Sequence, residues 1–239
     1  MRVLVFPDLH IPWHHRGALE FLKNTYKKHK CDTIVCLGDE VDFHNISFHR
    51  SNPNLCSASE ELEKSLVYLK EFYKAFPKVK VCTSNHTSLP FRRALDCGLP
   101  SQLMRSYREF LKAPKGWEWR DEWMIDGVSY IHGEALGSSL SALKNAVVKR
   151  RINTVFGHLH SEAGLYFSAT NHNINFAMNC GCLVDAKAIA FEYAKAYALK
   201  PVLACGVVLD GVPSLIPMPM GDNPELTIRT KRAYNRKVK

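Results

Sequence analysis

The sequence predicts an α/β fold in which a second sheet packs on a first. Two observations carry this. Up to about Phe156, short apolar runs alternate with stretches of helical periodicity, which implies parallel strands joined by right-handed crossovers. After His160 the pattern turns strand-rich, and these later strands are expected to form the second sheet.

The elements follow in order. Arg2–Phe6 is a short apolar strand. Residues 16–30 place Ala18, Leu19, Leu22 and Tyr26 at helical spacing, with lysines gathered towards the end. Residues 33–37 form a second strand. Ser57 and Glu60 make a capping-box pattern ahead of a helix reaching about Phe76, and residues 78–83 form a third strand. Helical stretches at 89–97 and 102–112 lead through an Asp126-Gly127 turn to a fourth strand at 128–131. A helix at 139–151 precedes a fifth strand at 154–156. Strands at 165–169, 174–182, 202–209 and 214–218 follow, the last two joined by an Asp210-Gly211 hairpin, with one helix at 186–199 between them. No repeat or linker divides the chain, so residues 1–228 are expected to form one domain. Within it, residues 43–76 exceed a tight βα connection and are expected to be an insertion near the active site.

Composition excludes several classes. Hydrophobic residues make up 46% and charged residues 23% of the 239, which rules out wholesale disorder. No apolar run approaches the roughly 18 residues of a membrane span, so no membrane partner is expected. Asp8 falls too early for a secretory hydrophobic segment, and a cytoplasmic protein is expected. The eight cysteines are therefore read as reduced core residues. Cys180-Gly181-Cys182 has one residue between thiols and no matching second pair, unlike a structural zinc site. Two thirds of the +9 charge lies in six basic residues between Arg229 and Lys239, a tail read as a solvated end with polyanion binding as the alternative.

Metal-competent side chains cluster on this map. Asp8 and His10 follow the first strand, Asp39 and Asp42 the second, Asn85 and His86 the third, His132 the fourth, and His158 and His160 the fifth. Carboxyl ends of strands are where open α/β sheets bind ligands. Two cations about 3.5–4 Å apart can clamp both oxygens of a phosphoryl displacement, given a bridging carboxylate and imidazoles as terminal ligands. With no thiol among the candidates, the donors suit manganese, iron or zinc.

At these residues the chain resembles the calcineurin-like metallophosphoesterase superfamily. The pattern is Asp8-x-His10, Gly38-Asp39-x-x-Asp42, Asn85-His86, a lone His132, and Gly157-His158-x-His160. The wording of residues 38–49 and 84–93 also looks like small phage-encoded members, which would place the protein in a host cytoplasm. The resemblance implies a four-layer sandwich, two mixed β-sheets packed face to face and flanked by helices. It further implies two divalent metal ions, manganese first, bridged by Asp39. Asp8, His10 and His160 would complete one, and Asn85, His132 and His158 the other. Asp42 would stand behind these ligands, and His86 would face the substrate and protonate the leaving oxygen. Two departures stand out: Ser84 replaces a usual Gly, which would alter the turn if that position needs positive φ, and Thr87 replaces a usual Asp or Glu. The second leaves Asp42 to hold the His86 ring.

His44 and His49 are further candidates for the substrate pocket, whereas His14, His15 and His29 are read as packing or solvated, and His172 as turn chemistry. Trp117, Trp119 and Trp123 alternate near a strand-like segment and are read as core or rim rather than a base-stacking platform. The expected activity is dinuclear-metal phosphoester hydrolysis, on nucleic acid (DNA or RNA) or nucleotides. The alternatives are a phosphoprotein or small-molecule phosphomonoesterase, and a catalytically weak polyanion-binding protein.

Overall fold

The computed structural model describes residues 1–48, 54–137, 141–188 and 200–219. The first half of the chain runs β1 (Arg2–Phe6), α1 (Ala18–Lys28), β2 (Thr33–Cys36), α2 (Ala58–Ala75), β3 (Val79–Cys82), α3 (Leu89–Asp96) and α4 (Tyr107–Phe110). It continues through β4 (Trp117–Arg120), β5 (Trp123–Ile125), β6 (Val128–Tyr130), α5 (Ser141–Arg150) and β7 (Asn153–Phe156). The described residues end with β8 (Gly164–Ala169), β9 (Ile174–Asn179), β10 (Ala204–Leu209) and β11 (Val212–Pro217).

Two mixed sheets result. The six-stranded sheet has the order β11-β10-β1-β2-β3-β4, and the five-stranded sheet the order β5-β6-β7-β9-β8. Alternation along each strand sorts side chains to opposite faces. On β1, Val3 and Val5 enter the core between the sheets with Val35, Tyr130, Val155 and Met178. Leu4 and Phe6 point the other way, into a core shared with Leu22 of α1 and with Leu69 and Phe72 of α2. Beyond β7 and β9, Phe156 and Ala177 pack on Ala142 and Ala146 of α5. Helices, sheet, sheet and helix are the four layers.

Local chemistry sets the element ends. Ser57 caps α2 as anticipated, its hydroxyl accepting from Glu60 N at 3.3 Å while Ser57 N donates to the Glu60 carboxylate at 2.7 Å. Asp126 (φ 49°) and Gly127 (φ 74°) make the β5–β6 turn, and Asp210 (φ 51°) and Gly211 (φ 85°) the β10–β11 turn.

Four expectations are corrected. The helix anticipated at 102–112 is broken into a 3₁₀ turn at Ser101–Leu103 and the short α4, because Ser106 and Glu109 form a second capping box that starts a new helix. Strands β4 and β5, at four and three residues, fall where only the Trp alternation points to a strand, and they separate the third anticipated strand from the fourth. The five ligand-bearing strands therefore do not share one sheet: β1, β2 and β3 lie in the larger, β6 and β7 in the smaller. Finally, six of the eight cysteines are buried, but Cys97 is exposed and Cys56 only half-buried.

The helix anticipated at 186–199 lies outside the described residues from 189 onward, as do His49 and the basic tail. No helix among the described residues is long and apolar enough to cross a membrane.

Candidate metal centre

The carboxyl ends of β1, β2, β3, β6 and β7 meet at one end of the inter-sheet core, and the loops leaving them carry all nine candidate residues. Three of these residues hold left-handed backbone: His10 (φ 49°), Asp39 (φ 46°) and His158 (φ 68°). Such conformations in non-glycine residues persist where the surroundings over-determine them. Here the Asp39 carbonyl accepts from Leu9 N at 3.0 Å and His10 N at 2.8 Å, tying the first two loops together. Next to it, Gly38 sits at φ +103°, where a Cβ would lie 2.5 Å from that of Ser84.

Asp39 Oδ2 lies 3.4 Å from His10 Nε2 on one side and 3.5 Å from His132 Nε2 on the other. His10 Nδ1 is 2.6 Å from Asp42 Oδ1, and His132 Nδ1 is 3.0 Å from the Leu37 carbonyl. Each Nδ1 hydrogen is thereby assigned to an acceptor behind it, leaving each Nε2 lone pair facing the centre. Those lone pairs face further ring nitrogens and an amide oxygen. His10 Nε2 is 3.2 Å from His160 Nε2, which is itself 3.1 Å from Asp8 Oδ2. His132 Nε2 is 2.6 Å from Asn85 Oδ1 and 3.1 Å from His158 Nδ1. Asp8 Oδ2 accepts from His158 N at 2.8 Å, whereas Asp8 Oδ1 is buried with no hydrogen-bond partner among the described residues. Imidazole nitrogens converging with carboxylate and amide oxygens, one buried carboxylate oxygen being left without a partner, make a donor set that fits a divalent metal. Ligand atoms of Asp8, His10, Asp39 and His160 lie within 4.8 Å of one another, and so do those of Asp39, His132 and His158.

Electrostatics agree. Burial pushes the Asp39 pKa up, yet His132, His86 and His10 outweigh it and hold the group well below the usual carboxylate range. Burial disfavours charge on His10, but Asp39 and Asp42 reverse this and raise its pKa well above the ordinary imidazole value. The field that holds a proton on His10 also attracts a cation, so the two compete. Cation affinity is expected to fall as the pH is lowered from about 8 to about 5, because His10 must surrender its proton to bind. Calorimetric titration with Mn²⁺ across that range checks this, and an affinity that rose on acidification would contradict it.

Asp42 serves two imidazoles, His10 through Oδ1 and His86, whose Nδ1 is 3.2 Å from the same oxygen and 2.6 Å from the Asp42 carbonyl. That leaves His86 Nε2 as the outward atom, on a side chain 24% exposed. His44 is buried beside them, its Nδ1 3.8 Å from Asp42 Oδ2. Elsewhere, His14 packs against Tyr68 and Phe72, burial taking its pKa down to about 4, and His172 lies in a turn closed by Thr170 and Asn173.

Sequence reasoning missed Glu40. It is fully buried beside Asp39, and burial pushes its carboxyl up to about 7. Trp119 Nε1 donates to it at 2.8 Å, and so does the Thr87 hydroxyl at 2.8 Å. The Ser84 hydroxyl donates to Thr87 at 3.1 Å and accepts from Asp39 N at 2.8 Å. The residues that depart from the usual motif thus belong to a chain of hydrogen bonds behind Asp39, and Ser84 does not take positive φ. The only available signal was an acid inside Gly38-Asp-Glu-Val-Asp42 opposite a missing acid at Thr87.

Gly157 admits Asp8 to the centre, since a Cβ there would lie 2.5 Å from Asp8 Oδ1. Gly157→Ala is expected to destabilise the fold by about 1–3 kcal/mol through overpacking and to weaken metal binding. Denaturant unfolding together with metal content checks this, and a variant that matched the parent in both would refute it.

Asp and His side chains that fit a divalent cation thus lie at one end of a two-sheet α/β sandwich. The family model described as calcineurin-like phosphoesterase matches residues 1–179, a span holding all nine candidate residues. The chain belongs to that family. Among solved structures it is similar to a single mutant of Vps29 from Entamoeba histolytica, at 14% identity over 91% of this chain and 98% of that one, with a TM-score of 0.42. Vacuolar Protein Sorting 29 from Cryptosporidium parvum is similar at 16% identity over 91% and 96%, TM-score 0.41. YfcE, a phosphoesterase from E. coli, is similar at 14% identity over 87% and 88%, TM-score 0.40. No curated protein matches the chain in sequence.

Proposed function

We propose that this chain is a dinuclear-metal phosphohydrolase acting on phosphoesters of nucleic acid or nucleotides, with manganese the first choice of ion and iron or zinc the alternatives. The observation that carries the reading is Asp39 Oδ2, one carboxylate oxygen shared by two imidazole groups at 3.4 and 3.5 Å. Asp8, His10 and His160 would hold one ion with it, and Asn85, His132 and His158 the other. When bound, such a pair supplies charge stabilisation at a phosphoryl oxygen and an activated water. The chain's own residues supply orientation and a proton. Asp42 fixes His10 and His86 together. His86, its Nδ1 engaged by Asp42, presents Nε2 as the atom that delivers a proton to the leaving oxygen. The nucleic-acid preference is supported by the net charge of +9, which favours polyanionic substrates.

The test is turnover of bis-p-nitrophenyl phosphate with added Mn²⁺, followed by duplex DNA, single strands, RNA, mononucleotides and a phosphopeptide. Manganese-dependent turnover with a nucleic acid or nucleotide as the best substrate is expected. No turnover with Mn²⁺, Fe²⁺ or Zn²⁺ would sink the catalytic reading, and a phosphopeptide preference would replace the substrate class.

A further inference from the structure

Beside the metal centre lies a guanidinium–aromatic cluster that the site described above does not use. Phe48 is 46% exposed, and two arginines of α3 lie over its ring, Arg92 with its guanidinium carbon 4.8 Å from the centroid and Arg93 at 4.1 Å. The two arginines have different tasks. Arg93 is half-buried and donates through Nε to the Ile46 carbonyl at 2.7 Å and through NH2 to the Ser47 carbonyl. It therefore clamps the 3₁₀ turn His44–Ile46, which Glu61 of α2 grips from the other side by accepting from His44 N at 2.9 Å. Phe48 is held in place by this clamp.

Arg92 is exposed and makes no ion pair among the described residues. One of its N–H groups donates to the Asn85 carbonyl at 3.3 Å, and Asn85 is the residue whose Oδ1 faces His132. An arginine carries five N–H donors in a planar fork, so most remain to bind an oxyanion. The fork sits on the backbone of Asn85, a candidate ligand residue, so an oxyanion held by its remaining N–H groups would lie next to the centre. The Phe48 ring restrains the guanidinium in advance, which lowers the entropy cost of binding.

We infer that Arg92, braced by Phe48, binds a second phosphate of the substrate, one next to the scissile phosphoester. This rests on the phosphohydrolase reading above and narrows it to substrates with more than one phosphate. The shared chemistry is a neighbouring phosphate, whether from the next nucleotide of a chain or from the further phosphates of a nucleotide.

The experiment compares the Mn²⁺-loaded protein with its Arg92→Ala, Arg92→Lys and Phe48→Ala variants. The substrates are bis-p-nitrophenyl phosphate, the p-nitrophenyl ester of thymidine 5′-monophosphate, a thymidine trinucleotide and thymidine triphosphate. Arg92→Ala is expected to lower the kcat/KM ratio of a multi-phosphate substrate to bis-p-nitrophenyl phosphate about 10-fold or more, through KM, as expected for loss of charge-assisted hydrogen bonds. Arg92→Lys should recover part of the loss, and Phe48→Ala should shift the ratio in the same direction by less. A ratio that falls only for the trinucleotide assigns the site to polynucleotide, and one that falls only for the triphosphate assigns it to nucleotide. An unchanged ratio for both overturns the inference, as does an equal fall for the single-phosphate thymidine ester, which would mark base rather than phosphate recognition. If the parent turns over none of these, the phosphohydrolase reading has failed on its own. The trinucleotide dissociation constant of parent and Arg92→Ala then reads the site directly, and equal values overturn it.

Discussion

Asp39→Asn is expected to lose at least one metal equivalent and about 10³-fold or more of turnover. The amide keeps the size and the Oδ1-type acceptor for His86 N, which the carboxylate engages at 3.1 Å. What it loses is the charge on the oxygen set between His10 and His132. A metal pair contributes several kcal/mol to transition-state stabilisation, and each 1.4 kcal/mol or so is a factor of ten in rate. In chelator the substitution is also expected to cost stability, because His132, His86 and His10 hold the Asp39 pKa well below the usual carboxylate range and so favour its ionised form in the fold. Because its folded pKa is lowered, that contribution is present above the unfolded carboxylate pKa and is lost as the pH falls through the folded value. Metal analysis after dialysis, alongside turnover of a generic diester, is the measurement. Two full equivalents in the variant would reject Asp39 as the shared ligand.

The parts of this protein legible in its sequence are those set by local pattern. β1, β2 and β3 are short, mostly apolar runs bounded by polar loops, and the capping box at Ser57 announces α2. The gathering of the candidate residues is legible too, because each lies in the loop that leaves a strand end. What was not legible depends on contacts distant in sequence. Trp117 and Trp119 alternate with charged residues in a strand-like way, but only the structure shows that this strand pairs with β3. Glu40 reads as a surface acid until the fold places Thr87 and Trp119 around it, 47 and 79 residues away. Ser84 reads as a defect in a glycine motif until its hydroxyl is seen beneath Asp39 N, 45 residues away. The left-handed backbone of His10, Asp39 and His158 has only a weak local signature, since Asp and His enter that region more readily than most residues but far less freely than glycine.

His86→Ala is expected to retain metal while losing about 10²–10⁴-fold in turnover, the usual contribution of a positioned general acid. The ring is held by Asp42 and packs edge-on against His10, but it gives no atom to either cluster that contains Asp39, so its removal leaves the ligand atoms of both clusters in place. Burial lowers the His86 pKa, but Asp39 and Asp42 more than compensate and raise it above the ordinary imidazole value, which favours the protonated form needed to donate. A general acid matters most where the departing oxygen is basic. The loss should therefore be small for a nitrophenolate leaving group, which departs as a stable anion, and large for an alkoxide such as a ribose hydroxyl. A series of aryl and alkyl esters of one phosphate, compared in parent and variant, separates this role from mere support of the loop. The parent should show a shallow dependence of rate on leaving-group basicity and His86→Ala a steep one. Parallel dependences, with an equal loss for every ester, would remove His86 as the proton donor and leave it as a packing residue between Asp39 and Asp42.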